Sequence, residues 1–261
     1  MMLKSRPRRL QTLVVLIAII SAIWAIPDFV GPDIAQISSD LTNIALTVFL
    51  AVTAFFQLSQ IRREAQDKIT WVIFAVFAIS YTAAQHIWAV NELIFDTRPF
   101  PSLADAAFLV DTLCLIAFFM LYVRPYKQSI SRKMLAIATI PSSLVVLVSA
   151  YYYALSNSTD TFMNQILLFS YPFLDAIALV PATLGIMIWL KNKSDFPLLA
   201  ICSSMIPLAI GDVSFQITTQ NNTYYTGSFV DLFFYIQIVS LTFGVYVLSN
   251  TIRKNSEEKE A

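Results

Sequence analysis

The stretch LADAAFLVDTLCLIAFFMLYV, residues 103–123, indicates the fold class of this chain. Only two of its side chains, Asp105 and Asp111, carry a charge, and Arg124 follows it directly. Because a helix needs about 20 mostly apolar residues to cross a bilayer, this stretch predicts a transmembrane helix. The whole chain has the same character: 57% of its 261 residues are hydrophobic and 13% are charged. A soluble domain carries about 25% charged residues, so the composition predicts an integral membrane protein.

Seven other apolar stretches are long enough to cross a bilayer, which makes about eight predicted spans. The predicted spans cover residues 10–26, 41–58, 69–93, 103–123, 134–155, 172–190, 196–217 and 229–248. The sixth span is expected to begin at Pro172, because proline suits a first helical turn, and residues 162–170 are expected along the outer interface. The expected fold is an all-α bundle of four helical hairpins, with a basic arm (1–9), a membrane domain (10–248) and a charged tail (249–261).

The charged residues between these spans predict the orientation of the chain. All but one of the 17 Lys and Arg residues fall on one predicted side of the membrane, and Arg98 is the exception. The residues that carry the orientation are Lys4, Arg6, Arg8, Arg9, Arg62, Arg63, Lys68, Arg124, Lys127, Arg132, Lys133, Lys191, Lys193, Arg253, Lys254 and Lys259. Short loops rich in Lys and Arg stay in the cytoplasm. Both termini are therefore predicted in the cytoplasm, in a plasma-membrane protein.

An aspartate is expected near the start of the second helix of each hairpin: Asp40, Asp105, Asp175 and Asp231. Two of these lie in the same local pattern, Ser-x-x-Asp, formed by Ser102 with Asp105 and by Ser228 with Asp231. This spacing is typical of a capping box, in which both side chains accept hydrogen bonds from free backbone N–H groups. The pattern predicts helix caps at Ser102, Asp105, Asp175, Ser228 and Asp231, and suggests that the hairpins arose by duplication.

Several short motifs occur together between residues 79 and 248. They are HIWAVNE (86–92), PFPSLAD (99–105), YPFLD (171–175), GD (211–212) and YTGSFVDL (225–232). Together they resemble the multi-pass N-terminal membrane sensor modules of bacterial diguanylate cyclases and phosphodiesterases, which carry GGDEF or EAL output domains, and of some histidine kinases. The PFPSLAD motif is the most specific of them.

The resemblance implies a module that passes a periplasmic or membrane-borne signal to a cytoplasmic output domain. Two features depart from the pattern. Val110-Asp111-Thr112 stands where an aromatic–Pro pair is usual, and only residues 249–261 follow the last predicted span. The expectation is therefore a stand-alone sensor module that acts through a partner protein.

Ionisable and amide side chains within the predicted spans are the candidate ligand-binding residues: His86, Glu92, Asp111, Asp212 and Gln216. Such side chains are costly in a bilayer, so they usually face the bundle interior and have a partner. His86 and Asp111 are expected at similar depth on consecutive helices, and we expect them to pair, with Asp212 joining them. One interpretation is a hydrogen-bond network that holds helices together. The other is an outward-facing polar pocket for a cation, a proton or a small ligand.

Other classes of function receive less support from the sequence. One histidine in the whole chain makes a metal centre a poor expectation, and no set of residues suits acid–base or nucleophilic catalysis. We therefore expect no enzyme, no metal and no cofactor, and with zero net charge no nucleic-acid partner. The expected partners are the lipid bilayer and a cytoplasmic or membrane signalling protein. A small transporter or channel, or an accessory subunit of a membrane complex, remains the alternative to a sensor.

Overall fold

The computed structural model describes residues 6–61, 68–155, 162–192 and 196–260, and these residues form helices and connecting loops without a β-strand. Four of the basic residues that predict the orientation lie outside these ranges: Lys4, Arg62, Arg63 and Lys193. The remaining residues of segment 1–5 and Ala261 also lie outside them. The helices are α1 (Arg6–Val30), α2 (Pro32–Ser59), α3 (Lys68–Leu93), α4 (Leu103–Val123), α5 (Arg132–Leu155), α6 (Phe162–Asn192), α7 (Phe196–Ser203), α8 (Met205–Gln220) and α9 (Phe229–Glu260). A 3₁₀ turn over Arg124–Ser129 follows α4.

Eight helical segments of the described chain are long and apolar enough to cross a membrane, which confirms the predicted number of spans. One segment, Phe196–Gln220, consists of α7 and α8 with an interruption at Ser204. Pro207 explains the interruption, because it has no N–H to donate to the carbonyl group four residues earlier. The Ser204 hydroxyl donates to the Ile201 carbonyl oxygen at 2.6 Å and so stabilises the bend.

Two helices begin earlier than the hydropathy predicts. Helix α2 starts at Pro32, and α6 starts at Phe162, so residues 162–170 are helical and the expected start at Pro172 is wrong. A proline inside a helix costs about 3 kcal/mol. Burial of Leu168 and Tyr171 in a cluster with Trp88 and Phe215 offsets that cost.

The surface of the bundle is apolar along much of its length. Helices α1 and α5 direct large apolar side chains outward, among them Leu10, Val14, Ile19, Ile140, Leu144 and Leu147. Soluble monomers rarely expose apolar patches larger than a few hundred Å². The surface and the eight apolar helices together support a multi-pass membrane protein with the lipid bilayer as its partner.

Helix α9 is central to the packing, with contacts to α1, α2, α7 and α8, while α3 packs along α4 and α5 along α6. We call the end of the bundle formed by segments 94–102 and 221–228 the loop end. There Trp24 of α1 donates through Nε1 to the carbonyl oxygen of Gly227 at 3.0 Å. We call the opposite end, which carries Lys68, Arg124 and Lys191, the basic end.

Candidate functional site

A cavity of about 80 Å³ lies between α2, α3, α4, α6, α8 and α9, and we call it the central cavity. The acidic side chains that line it are Asp105, Asp111, Asp212 and Asp231. No Lys, Arg or His is found among the described residues of its wall. The cavity therefore has a wall with acidic groups and no basic group to balance them.

The first of these aspartates, Asp105, lies in the first turn of α4. The Ser102 N–H donates to its Oδ2 at 2.5 Å, while the Ser102 hydroxyl oxygen accepts from the Ala104 N–H at 3.1 Å. This is the predicted capping box, and it is confirmed. A third bond was not predicted: the Tyr171 hydroxyl of α6 donates to Asp105 Oδ1 at 2.5 Å. The cap therefore also joins α4 to α6.

At the start of α9, Asp231 has a different set of partners from the predicted one. Its Oδ2 accepts from the Gly227 N–H at 2.7 Å and from the Ser39 hydroxyl at 2.6 Å, and its Oδ1 from the Tyr224 hydroxyl at 3.0 Å. The Ser228 hydroxyl has no partner in the part of the chain that the structure describes, so the predicted capping role of Ser228 is wrong. Burial raises the pKa of Tyr224 well above its usual value, which keeps this hydroxyl protonated as a donor.

Gly227 explains why the backbone can reach Asp231. Its φ is +98°, a conformation that side-chain-bearing residues rarely adopt, and a Cβ here would lie 2.7 Å from the backbone carbon of Ala35. Only glycine allows the turn to approach α2 so closely. The Gly227 N–H thereby replaces the Ser228 N–H, which a capping box would use as the donor to Asp231.

Asp175 does not cap a helix, because α6 begins at Phe162 and places it well inside the helix. Its side chain is fully buried, and neither of its carboxylate oxygens has a hydrogen-bond donor. The carboxyl group lies next to that of Asp212 on α8, which lines the central cavity. Two neighbouring carboxyl groups share a site only when a proton or another cation reduces their repulsion.

A second pair of carboxyl groups lies near the loop end. Asp40 was expected near the start of its helix, but α2 begins at Pro32, and the buried Asp40 lies next to Glu92 of α3. Glu92 Oε1 accepts from the Thr226 hydroxyl at 2.8 Å, while its Oε2 meets no N–H or hydroxyl donor among the described residues. Glu92 therefore lies near the loop end of the bundle and does not line the central cavity.

The expected contact between His86 and Asp111 is absent, and that prediction is wrong. His86 is exposed on the surface of α3, where its Nδ1 lies 2.7 Å from the Thr82 carbonyl oxygen one turn earlier. Asp111 faces the central cavity instead, and its Oδ1 accepts from the neighbouring Thr112 hydroxyl at 3.3 Å. The two side chains point away from each other because they occupy different faces of their helices.

Gln216 lies on the same helix as Asp212 but does not line the central cavity. It is fully buried, and it accepts a hydrogen bond from the Ser149 hydroxyl at 2.5 Å and donates to the Ser149 carbonyl oxygen at 3.2 Å. Its two bonds join α8 to α5. Of the five predicted binding residues, Asp111 and Asp212 are therefore brought together in one cavity wall.

Aromatic rings form much of the remaining wall, and the sequence argument missed them. Four rings from four helices, Trp88, Phe108, Tyr171 and Phe215, make a closed circuit with centroid separations of 6.1, 6.5, 6.4 and 6.1 Å. A signal was present in α3, where Phe77, Tyr81, Gln85, Trp88 and Glu92 recur at helical spacing. Such spacing places all of these side chains on one face.

A second cavity of about 340 Å³, which we call the loop cavity, lies at the loop end. Glu92, Arg98 and Phe100 are among its lining residues. It shares Trp88, Tyr224 and Thr226 with the wall of the central cavity. The Trp88 Nε1 donates to the Thr226 hydroxyl at 3.1 Å, so this shared wall is held in place by a buried hydrogen bond.

The chemistry that this arrangement offers is binding. In the part of the chain that the structure describes, no three His, Cys, Asp or Glu side chains are placed to hold a metal ion. The central cavity instead combines acidic groups, amide side chains and aromatic faces around a small space. Comparison with protein-family models, with curated proteins and with solved structures finds no match to this chain.

Proposed function

We propose that this chain is a membrane sensor module that binds a small ligand in the central cavity. A change in cavity occupancy would be passed along α9 to a partner protein. The observation that carries this proposal is the position of α9, because one continuous helix both lines the cavity and extends through the basic end. Asp231, Phe234 and Gln237 of α9 lie in the cavity wall.

The length of α9 supports its role as the connecting element. The helix has 32 residues. At 1.5 Å per residue it spans about 48 Å, compared with about 30 Å for the hydrocarbon core of a bilayer. A displacement at the cavity wall would therefore reach the charged segment that contains the exposed Arg253 and Lys254.

The predicted orientation gives the signal its direction. We propose that the four hairpins cross the plasma membrane with both termini in the cytoplasm, because the basic residues concentrate at one end. The loop end then faces the periplasm. A ligand would enter through the loop cavity and pass the shared wall of Trp88, Tyr224 and Thr226.

The packing of the basic half favours binding over transport. Buried apolar side chains fill the space between the central cavity and the basic end, among them Phe74, Phe118, Phe119, Leu198 and Leu241. A transported polar solute needs a polar or hydrated route. The described core in this half is mainly apolar, and its buried polar groups include Gln57 and Ser249, which are hydrogen-bonded to each other.

Access to the cavity can be tested with cysteine variants in a background where Cys114 and Cys202 are replaced by Ala. Leu208→Cys places a thiol in the central cavity wall. We expect a small, membrane-impermeant methanethiosulfonate reagent added from the periplasmic side to modify it. Leu241→Cys is the matched control, because Leu241 is fully buried in the apolar core and is expected to stay unmodified.

Transmission can be measured on the same protein. Once Leu208→Cys is modified, we expect backbone hydrogen exchange in the basic-end half of α9 to differ from that of the unmodified variant. An unreactive Leu208→Cys would contradict the proposed access route. Modification without any change in α9 would contradict transmission.

A further inference from the structure

We propose that the ligand of the central cavity is a small protonated amine, held by acceptor oxygens and by aromatic faces. This inference rests on the proposed function, since it names the chemical class that the same cavity accepts. Three independent properties of the wall support it: unpartnered acceptors, an excess of acidic groups and a set of aromatic rings.

The unpartnered acceptors come from three different helices. Asn43 Oδ1 on α2, Asp111 Oδ2 on α4 and Gln237 Oε1 on α9 have no hydrogen-bond donor within the described structure. Their side chains are only 5%, 6% and 1% exposed, and all three residues line the cavity. Buried acceptors without donors are unfavourable, so the site favours a guest that brings N–H groups.

The charged groups of the cavity wall also favour a guest of this kind. Two of the four lining aspartates, Asp105 and Asp231, already accept from strong donors, as described above. Asp111 Oδ2 remains available to a guest, whereas the carboxyl group of Asp212 already has that of the buried Asp175 as its neighbour. Since no Lys, Arg or His in the described wall balances these groups, a cationic guest is the one whose charge the site complements.

The aromatic rings in the cavity wall favour an organic cation over a metal ion. A cation over the face of Trp, Tyr or Phe is attracted by the ring quadrupole, and ammonium groups are typical guests of such sites. Phe77, Tyr81 and Trp88 of α3 and Phe108 of α4 supply rings to the wall. Hard metal cations instead prefer a cage of oxygen ligands. The cavity volume of about 80 Å³ suits an amine with few non-hydrogen atoms.

The test uses the full-length protein in detergent at constant ionic strength, with four probes. Propylammonium is the expected guest, 1-propanol is its uncharged analogue, tetramethylammonium is a cation without N–H groups, and sodium is the inorganic cation. Binding is measured by isothermal titration calorimetry and by the shift of the thermal unfolding midpoint. We expect saturable binding of propylammonium and at least tenfold weaker binding of the other three.

Variants assign the interaction to the cavity. Loss of a hydrogen bond to a charged guest weakens binding about tenfold or more, and we expect this for Asp111→Asn. Gln237→Leu removes a second acceptor with an apolar residue of similar size, and so keeps the test usable if Asp111→Asn does not fold. His86→Ala is the control, because His86 is exposed outside the cavity, and its affinity should equal that of the unmodified protein.

Each contrary outcome overturns a defined statement. If 1-propanol binds as tightly as propylammonium, the guest need not be a cation. If tetramethylammonium binds as tightly as propylammonium, the unpartnered acceptors do not select the guest. If sodium binds more tightly than propylammonium, the guest is not organic. No binding of any probe, with Leu208→Cys still reactive and still coupled to α9, would overturn this inference and leave the sensor proposal standing. An unreactive Leu208→Cys would instead count against the sensor proposal itself.

Discussion

At the scale of single residues, Ser102 and Ser228 show how one sequence pattern leads to two structures. Both serines precede a helix and are followed three residues later by an aspartate. Ser102 accepts a backbone hydrogen bond, whereas the Ser228 hydroxyl has no partner among the described residues. Asp231 accepts from the Gly227 N–H and the Ser39 hydroxyl, while the Ser228 N–H donates to the Tyr225 carbonyl oxygen. The difference arises from the close contact between Gly227 and α2.

This difference predicts unequal effects of the same substitution. Ser102→Ala removes an N-terminal cap, which typically costs about 1 kcal/mol of stability. Ser228→Ala removes a hydroxyl without a partner, so the expected change is below about 0.5 kcal/mol. Both free energies of unfolding can be measured in mixed micelles by titration with a denaturing detergent. Equal losses for the two variants would contradict the assigned hydrogen bonds.

The residue-level predictions succeeded where the signal was local. The capping box at Ser102 and Asp105 depends on four consecutive residues, and the sequence predicted it. The pairing of His86 with Asp111 failed because it was inferred from similar depth on consecutive helices, without regard to which face of each helix the two residues occupy. Helical spacing separates His86 from the stripe of Tyr81, Gln85 and Trp88 on α3, and this stripe faces the cavity.

At the scale of helices, two glycines set close contacts of different kinds. A Cβ added at Gly211 on α8 would lie 2.7 Å from the ring of Phe234 on α9, and its three nearest atoms all belong to that ring. A Cβ at Gly244 on α9 would lie 2.7 Å from Ile201 Cγ1 and 3.0 Å from the Ile201 backbone nitrogen. Only the first contact can be relieved by changing a side chain.

We therefore predict that a second substitution rescues one variant and not the other. Gly211→Ala should cost about 1–3 kcal/mol, the usual range for overpacking, and Phe234→Leu should recover part of it. Gly244→Ala should cost at least as much, with no recovery from Ile201→Ala, because that change removes Cγ1 but leaves the contact with the Ile201 backbone nitrogen. Thermal unfolding of the four variants in detergent measures both effects. Rescue of Gly244→Ala would show that the backbone can move apart.

Helix boundaries were harder to predict than the existence of helices. The start of α6 was placed at Pro172 because an isolated proline favours a first turn, but tertiary burial of Leu168 and Tyr171 extends the helix. Because the helix was expected to start at Pro172, Asp175 was predicted to cap it, but Asp175 lies inside α6. Local preference could not reveal this, since the partners Trp88 and Phe215 come from other helices.

At the scale of the whole molecule, the distribution of charge is the basis of the proposed orientation. Arg98 at the loop end and Lys127 at the basic end are both exposed, and each can be replaced by cysteine in the background without Cys114 and Cys202. In intact cells we predict that an impermeant maleimide labels Arg98→Cys and not Lys127→Cys. After the membrane is permeabilised, both variants should react. Labelling of Lys127→Cys in intact cells would reverse the orientation.

The number of spans could be predicted because hydropathy is a property of contiguous residues, and all eight predicted spans correspond to apolar helical segments. The central cavity could not be predicted in the same way. Its wall combines Asn43, Asp111, Asp212 and Gln237 from four helices, and their adjacency depends on how those helices rotate about their axes. In a single sequence, the only sign of how each helix is rotated is a weak periodicity of its polar and apolar residues.

The position of Trp88 between the two cavities has a practical consequence. Its indole ring borders both spaces, while Trp71 lies buried in the apolar core away from them. Indole emission responds to the polarity and the quenchers around it, so the natural chain contains its own optical probe in the wall between the two cavities. The entry of a molecule could be followed by stopped-flow spectroscopy on the unlabelled protein, with Trp88→Phe as the reference that retains only the emission of Trp24, Trp71 and Trp189.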